Sequence, residues 1–170
     1  VFIYKEMSFK KFRAVLTESI NITAMIFLVI AAAMIFGMFL TTEQVPQAFS
    51  SFIQESSANK WIFIIGVNLM FFVLGMFLES VAIILITLPI LLPVLVMFDI
   101  NIIHFAIIMT INMEIAMITP PVGLNLFVVS GITREKVGEV VRGVLPFFGL
   151  MVLALILVII FPEISLFLTK

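Results

Sequence analysis

The residues of this sequence best suited to binding an ion or an anion lie in one stretch that is otherwise apolar enough for a membrane helix. Its polar side chains are Asn112, Glu114, Thr119 and Asn125. Pro120, Pro121 and Gly123 interrupt the stretch, and tandem prolines remove two amide donors and disfavour helical backbone at the preceding residue. In lipid, broken backbone is tolerated only where protein or water surrounds it. Because membrane transporters build ion and substrate sites from interrupted helices, the stretch predicts such a site.

A second interruption falls within the apolar residues 61–98, which are too many for one span and barely enough for two. Residues 61–74 would form only about 21 Å of helix. We therefore predict a re-entrant hairpin over 61–98, with its tip at Gly75 to Ser80. Ser80 is expected to cap the returning helix, with Glu79 beside its positive end. Two roles are open for Glu79, either a structural cap of the tip or a contact to ion or substrate.

Composition restricts the protein class. The chain is 64% hydrophobic and 11% charged, with a mean hydropathy of +1.35, which is typical of a polytopic membrane protein. The absence of cysteine excludes disulfides and Cys-based metal sites. Phosphate-binding and hydrolase motifs do not occur, so we expect neither an ATP-driven pump nor an enzyme. Because the first residue is Val, we expect a fragment of a longer protein.

The remaining elements follow from the hydrophobic pattern, and together they predict an all-α membrane domain over residues 1–170. Residues 41–60 are polar and turn-rich, with a short apolar stripe typical of an interfacial helix. The predicted elements are an interfacial helix over 5–18, a span over 22–40, the hairpin over 61–98, a broken helix over 103–132, an interfacial helix over 134–142 and a span over 144–161.

The broken helix has polar groups on two faces. Thr110 and Glu114 share one face, and Asn112 and Thr119 share another, which indicates that protein rather than lipid surrounds the helix. Asn112 has two open interpretations, a site ligand or an interhelical hydrogen bond. Thr119 is predicted to be an N-cap, with Pro120 as the first residue of a helix that restarts there.

Charge placement predicts an orientation. Of nine Lys and Arg residues, four lie in 5–13 and three in 134–142, which places both segments in the cytoplasm. Asp99, Asn101 and His104 then form a polar turn at the outer surface. His104, the only histidine, is expected to make an interfacial hydrogen bond, since it lies at the wrong depth for a catalytic base.

Three segments resemble a known family, and they read LGMFLESVAIILITLPILLPVL, HFAIIMTINMEIAMITPPVGLNLFVVSGI and VLPFF. They are similar to the C-terminal half of the large membrane subunit of tripartite ATP-independent periplasmic (TRAP) transporters. Ala106 and Ala116 stand where many members have glycine. The resemblance implies a multi-pass protein of the bacterial inner membrane with an ion-transporter-like fold of two inverted repeats, each with a re-entrant hairpin and a discontinuous helix. This chain would supply the second repeat.

The resemblance also implies sodium-driven uptake of an organic acid, such as a C4-dicarboxylate or sialic acid. An extracytoplasmic solute-binding protein would deliver this substrate, and a small membrane subunit would brace the large one. Sodium would be the coupling ion, with no other cofactor. The alternative function is an ion channel whose filter is the re-entrant tip.

Together, the residues and the resemblance predict a mechanism. Helix N-termini at Ser80 and Pro120 would attract an anionic substrate to the membrane midplane. Carbonyls freed at Gly75 and over 118–122 would bind sodium, near the Thr119 hydroxyl and the Asn125 amide. The predicted ion and substrate residues are Gly75, Glu79, Ser80, Asn112, Glu114, Ile118, Thr119, Pro120, Val122, Gly123 and Asn125, with sodium near Gly75, Thr119, Val122 and Asn125.

Overall fold

The computed structural model describes residues 8–167, and within this range the regular secondary structure is entirely helical. Short turns connect helices that differ greatly in length. In chain order the helices are α1 (Phe9–Thr42), α2 (Val45–Glu55), α3 (Lys60–Gly75), α4 (Ser80–Met97), α5 (Ile102–Met117), α6 (Leu124–Thr133), α7 (Val137–Ile160) and α8 (Pro162–Leu166).

The N-terminal part of the chain corrects one prediction. Instead of separate elements over 5–18 and 22–40, the structure has the single helix α1, which is 34 residues long and therefore about 51 Å. No proline or glycine occurs between Phe9 and Gly37, so nothing ends the helix where the charged segment meets the apolar one. Residues 5–7 lie outside the described range. The chain turns after α1 through Gln44, whose φ is 55°, and α2 begins with Pro46 in its first turn.

A similar correction applies near the C-terminus. The predicted interfacial helix over 134–142 and the span over 144–161 form one continuous helix, α7, with Pro146 inside it. Residues 134–136 instead connect α6 to α7, and Arg134 ends α6 with a φ of 61°. Gly143 does not break the helix, because one glycine costs only about 1 kcal/mol in a helix interior.

The predicted hairpin is a pair of helices, α3 and α4, joined by a turn over residues 76–79. The two arms pack mainly on different neighbours, since α3 lies against α5 whereas α4 lies against α1 and α2. A shared buried core nevertheless joins them. Phe71 of α3 is fully buried and lies 6.2 Å from the ring of Phe105 in α5, and Val94 and Leu95 of α4 are also fully buried.

Three of the described helices are long and apolar enough to cross a membrane, and they are α1, α4 and α7. Large apolar side chains are exposed along α1 and α7, including Leu28, Ile35 and Leu150. A soluble monomer rarely exposes so much contiguous apolar surface. The fold is therefore that of a polytopic α-helical membrane protein, as the composition predicted.

Candidate functional site

The two interrupted segments meet where α3 crosses α5. Gly75, the last residue of α3, is buried against Ala116, which is fully buried near the end of α5. A Cβ atom built on Gly75 would lie only 2.6 Å from the Cβ atom of Ala116. Only glycine therefore allows the helices to approach this closely, and the methyl of Ala116 occupies the space that the missing side chain leaves.

A backbone hydrogen bond continues this contact beyond the helix ends. The Gly123 amide donates to the Met76 carbonyl at 3.4 Å, joining the tip to the break between α5 and α6 (residues 118–123). Gly123 is buried and has a φ of 57°, where a side chain would be strained. Its Cβ would also lie 2.9 Å from the Thr119 carbonyl oxygen. Both glycines predicted for the site are thus required at the contact.

The structure corrects the predicted role of Thr119. The helix restarts at Leu124 rather than at Pro120, and the residue at its N-cap is Gly123. The Thr119 hydroxyl donates to the Ile115 carbonyl at 2.6 Å, so its side chain belongs to the end of α5 and caps nothing. The chain has not yet turned into the new helix at Thr119, because the tandem prolines prolong the break.

The break leaves several backbone carbonyls without a hydrogen bond. Within residues 8–167, no donor reaches the carbonyls of Gly75, Ile118, Thr119, Pro120, Pro121 or Val122. Buried or membrane-embedded carbonyls are costly to leave unpaired, and a hard cation is one partner that satisfies them. No group of three or more His, Cys, Asp or Glu residues in the described part of the chain is arranged to hold a metal ion.

The tip also differs from its predicted chemistry. Glu79, not Ser80, occupies the N-cap of α4, and its Oε2 accepts a hydrogen bond from the Ala82 amide at 3.0 Å. Ser80 is the first helical residue, and its hydroxyl lies 3.4 Å from Glu79 Oε1. A carboxylate of the protein itself thus already occupies the positive end of α4, which makes this end unfavourable for a second anion.

Asn112 pairs with a residue that the sequence reasoning missed. Its Nδ2 donates to the Asn68 Oδ1 at 2.8 Å and to the Asn68 carbonyl at 3.0 Å, linking α5 to α3. The side-chain Nδ2 of Asn68 in turn donates to the Ile64 carbonyl at 2.8 Å. Asn112 is 3% exposed, and its Oδ1 is buried with no hydrogen-bond partner among residues 8–167. Asn68 is the one amide side chain within the apolar residues 61–74, and this isolated position could have indicated a polar partner on another helix.

The other predicted residues do not take part in the two glycine contacts themselves. Glu114 is exposed on a different face of α5, and Asn125 is half-buried in the first turn of α6. Pro120 is exposed, whereas Ile118 and Val122 are half-buried. The structure therefore brings the predicted tip and break together at Gly75 and Gly123. The three other polar residues have different surroundings: Glu79 caps α4, Asn112 pairs with Asn68, and Glu114 is exposed.

His104 lies at the opposite end of α5. It is buried and its Nδ1 lies 2.7 Å from the Ser165 hydroxyl of α8. The predicted hydrogen bond is thus present, and it attaches the C-terminal helix to α5. Asn101 caps α5 beside it, accepting from the Ile103 amide at 2.9 Å.

A small cavity adjoins the break. It has a volume of about 190 Å³ and lies between the break and α7. Its lining is almost entirely apolar and consists of Ile118, Thr119, Pro120, Val141, Val144, Leu145 and Phe148. An organic acid would find no cationic partner there, so this cavity provides space beside the break rather than an anion site.

Comparison with known proteins places these features in a family. Residues 1–164 match the model of the tripartite ATP-independent periplasmic transporter, DctM component. The chain is 43% identical to the C4-dicarboxylate TRAP transporter large permease protein DctM of Pseudomonas aeruginosa, over 98% of this chain and 39% of that protein. It is 39% identical to the protein of the same name from Rhodobacter capsulatus, over 98% of this chain and 38% of that protein.

A relative named for a different substrate is also similar. The sialic acid TRAP transporter large permease protein SiaM of Vibrio cholerae is 32% identical over 99% of this chain and 39% of its own length. The chain thus spans about two fifths of the length of the relatives it matches. These relatives are permeases rather than enzymes. The chain belongs to the DctM family, the large multi-pass permease subunits of TRAP transporters in the bacterial inner membrane.

Proposed function

We propose that this chain is part of the permease of a sodium-coupled transporter that takes up an organic acid. The observation that carries the proposal is the contact between tip and break, where Gly75 and Gly123 allow two interrupted helices to meet. Interrupted helices that meet in a membrane are the usual setting of ion and substrate sites in secondary transporters. The proposed coupling ion is sodium.

Unpaired backbone oxygens support a cation site at this contact. The carbonyls of Gly75 and of residues 118–122 receive no hydrogen bond within the described residues. Oxygen ligands suit hard cations, and a site without carboxylates suits a cation of low charge. The Thr119 hydroxyl donates its proton to Ile115, so its oxygen keeps lone pairs for a cation. Val122 lies within the same break, and Asn125 follows it in the first turn of α6.

The proposed anion site is at one helix N-terminus rather than two. Glu79 already caps α4, whereas α6 begins at Leu124 with Gly123 as its N-cap and no side-chain cap. The free amides at the start of α6, beside Asn125, can therefore receive a carboxylate of the substrate. Permeases named for C4-dicarboxylates share the higher identities with this chain, so a C4-dicarboxylate is the proposed substrate, with sialic acid as the alternative.

The proposed assembly follows the family. An extracytoplasmic solute-binding protein delivers the substrate, and a small membrane subunit supports the permease. The α3–α4 pair is proposed to be re-entrant, since α3 is 16 residues long, about 24 Å, and is shorter than the hydrocarbon core of about 30 Å. The rest of the permease, which this chain does not include, is proposed to contribute the inverted repeat and the other half of the substrate site.

Thr119 provides the test of the sodium site. In the complete transporter, reconstituted in proteoliposomes, Thr119→Val removes the hydroxyl oxygen and keeps the shape. We expect the sodium concentration for half-maximal succinate uptake to rise several-fold, because a lost ligand costs about 1 kcal/mol and each 1.4 kcal/mol weakens binding tenfold. Thr119→Ser retains the oxygen and is the matched control, with sodium dependence near wild type.

The same experiment separates the sodium site from a structural role of Thr119. The hydrogen bond to Ile115 stabilises the end of α5, so Thr119→Val also lowers thermal stability slightly. That loss does not depend on sodium. An unchanged sodium dependence in Thr119→Val, with reduced stability, would show that the ion site lies elsewhere. Uptake without any sodium gradient would refute the coupling itself.

A further inference from the structure

One face of α5 is left uncovered by residues 8–167 although it carries an acidic side chain. Ala106, Thr110 and Glu114 follow each other at intervals of four residues, so they form one stripe along the helix. All three are exposed, whereas the neighbouring positions Phe105, Met109 and Met113 are buried. Beyond the exposed first turn at Ile102 and Ile103, the stripe is therefore a gap in the packing around α5.

The position of Glu114 makes lipid an unfavourable neighbour for this face. Counted from Ile102 at a rise of 1.5 Å per residue, Glu114 lies about 18 Å along α5. This places it well inside a hydrocarbon core of about 30 Å, where charged side chains almost always face protein or a water-filled cavity. Within residues 8–167, no ion pair or hydrogen bond reaches its carboxylate. Its partner must therefore come from outside the described residues.

The other two residues of the stripe indicate what kind of surface fits. Ala106 is small, and the hydroxyl of Thr110 is already satisfied by the Ala106 carbonyl at 2.9 Å. Neither side chain needs a polar partner, and both allow a helix to approach closely. A partner helix would thus pack on the first two turns of the stripe and meet the carboxylate on the third.

The missing part of the permease is large enough to supply this helix. The chain covers only 39% of the relative of 43% identity, so more than half of a comparable protein lies outside it. On its other sides, α5 already packs against α3, α4, α6, α7 and α8. We propose that the Ala106–Thr110–Glu114 face binds a membrane helix from the rest of the permease, and that this helix presents a basic side chain to Glu114.

Spin labelling of the complete transporter in bilayers tests this proposal without reference to sodium. A nitroxide on Thr110→Cys reports collisions with oxygen, which is concentrated in lipid, and with a nickel chelate, which is confined to water. Met109→Cys, at a position 2% exposed within this chain, is the buried control, and a spin-labelled lipid is the exposed reference. We expect the label at 110 to match the buried control with both reagents. High oxygen access at 110 would mean that the face meets lipid, and high nickel access that it meets water; either overturns the proposal.

Charge variants at Glu114 test the chemistry of the partner. Glu114→Gln keeps the shape and can still accept a hydrogen bond, whereas Glu114→Lys places a like charge against a basic side chain. We expect the apparent unfolding temperature of the complete permease in detergent to fall far more in Glu114→Lys than in Glu114→Gln. Equal falls in the two variants would refute a basic partner. Because Thr110→Cys keeps Glu114, the accessibility result stands even where Glu114→Lys fails to fold.

Discussion

Replacing Gly75 by alanine tests the packing on which the site depends. The new Cβ atom would lie 2.6 Å from the Ala116 Cβ, whereas carbon atoms in contact are about 3.5–4.0 Å apart. The two helices must therefore separate by about 1 Å at this crossing. Overpacking of this kind typically costs about 1–3 kcal/mol. The backbone hydrogen bond from Gly123 to Met76, already 3.4 Å long, would not survive such a displacement.

The structure supplies a rescue for this substitution. In Gly75→Ala with Ala116→Gly, one methyl moves from α5 to α3 and the close contact disappears. Ala116→Gly alone should cost about 1 kcal/mol through helix propensity. We expect the double variant to be more stable than Gly75→Ala, which gives a coupling energy of about 1–2 kcal/mol between the two sites. The assay is denaturant unfolding of the complete transporter in detergent, with uptake in proteoliposomes as a second measurement.

Gly66 of α3 is the matched control. A Cβ built there meets nothing within 4 Å, so Gly66→Ala should leave stability unchanged or raise it through helix propensity. Uptake by Gly75→Ala should fall together with its stability, whereas uptake by Gly66→Ala should remain near wild type. If Gly75→Ala and Gly66→Ala behave alike, or if Ala116→Gly fails to rescue Gly75→Ala, the close approach of α3 and α5 is refuted.

Three further outcomes are expected. Glu79→Ala should lower the free energy of unfolding by about 1 kcal/mol through loss of the α4 cap, whereas Glu79→Gln keeps an acceptor for the Ala82 amide. A loss of uptake in Glu79→Gln at normal stability would instead indicate that Glu79 contacts the ion or the substrate. Replacing both Asn68 and Asn112 by leucine should destabilise the protein less than the two single changes combined, and additive losses in thermal unfolding would contradict the pairing. Single-cysteine labelling of intact cells should reach Asp99 from outside and Arg134 only after permeabilisation, and the reverse pattern would refute the predicted orientation.

The agreement between sequence and structure is greatest where the backbone itself is constrained. The break near Pro120 was predictable because tandem prolines remove two backbone donors and disfavour helical backbone at the preceding residue. The turn before Ser80 was predictable because the apolar run was too long for one span and its polar residues are concentrated there. Membership of a membrane transporter family was likewise predictable from the motif around the break.

The misplaced boundaries have a common cause. Separate interfacial helices were predicted from changes in polarity, but α1 and α7 continue through those changes. Hydrogen bonding within a helix is indifferent to whether its side chains face water or lipid, so a change in polarity does not by itself end a helix. Thr119 is a similar case. Its residue type predicted an N-cap, but in the structure α6 begins five residues later, at Leu124.

Sequence by itself determined which segments are helical, where the central helix breaks, and that the protein lies in a membrane. Tertiary structure alone decided which residues meet across helices, such as Asn68 with Asn112, 44 positions apart, and Gly75 with Ala116. The physical reason is that α3 is apolar on nearly every face and α5 carries polar groups on more than one face, so composition does not specify a buried side or a register. Register between such helices is set by close packing and by the few buried polar groups, and both become visible only once the helices are side by side.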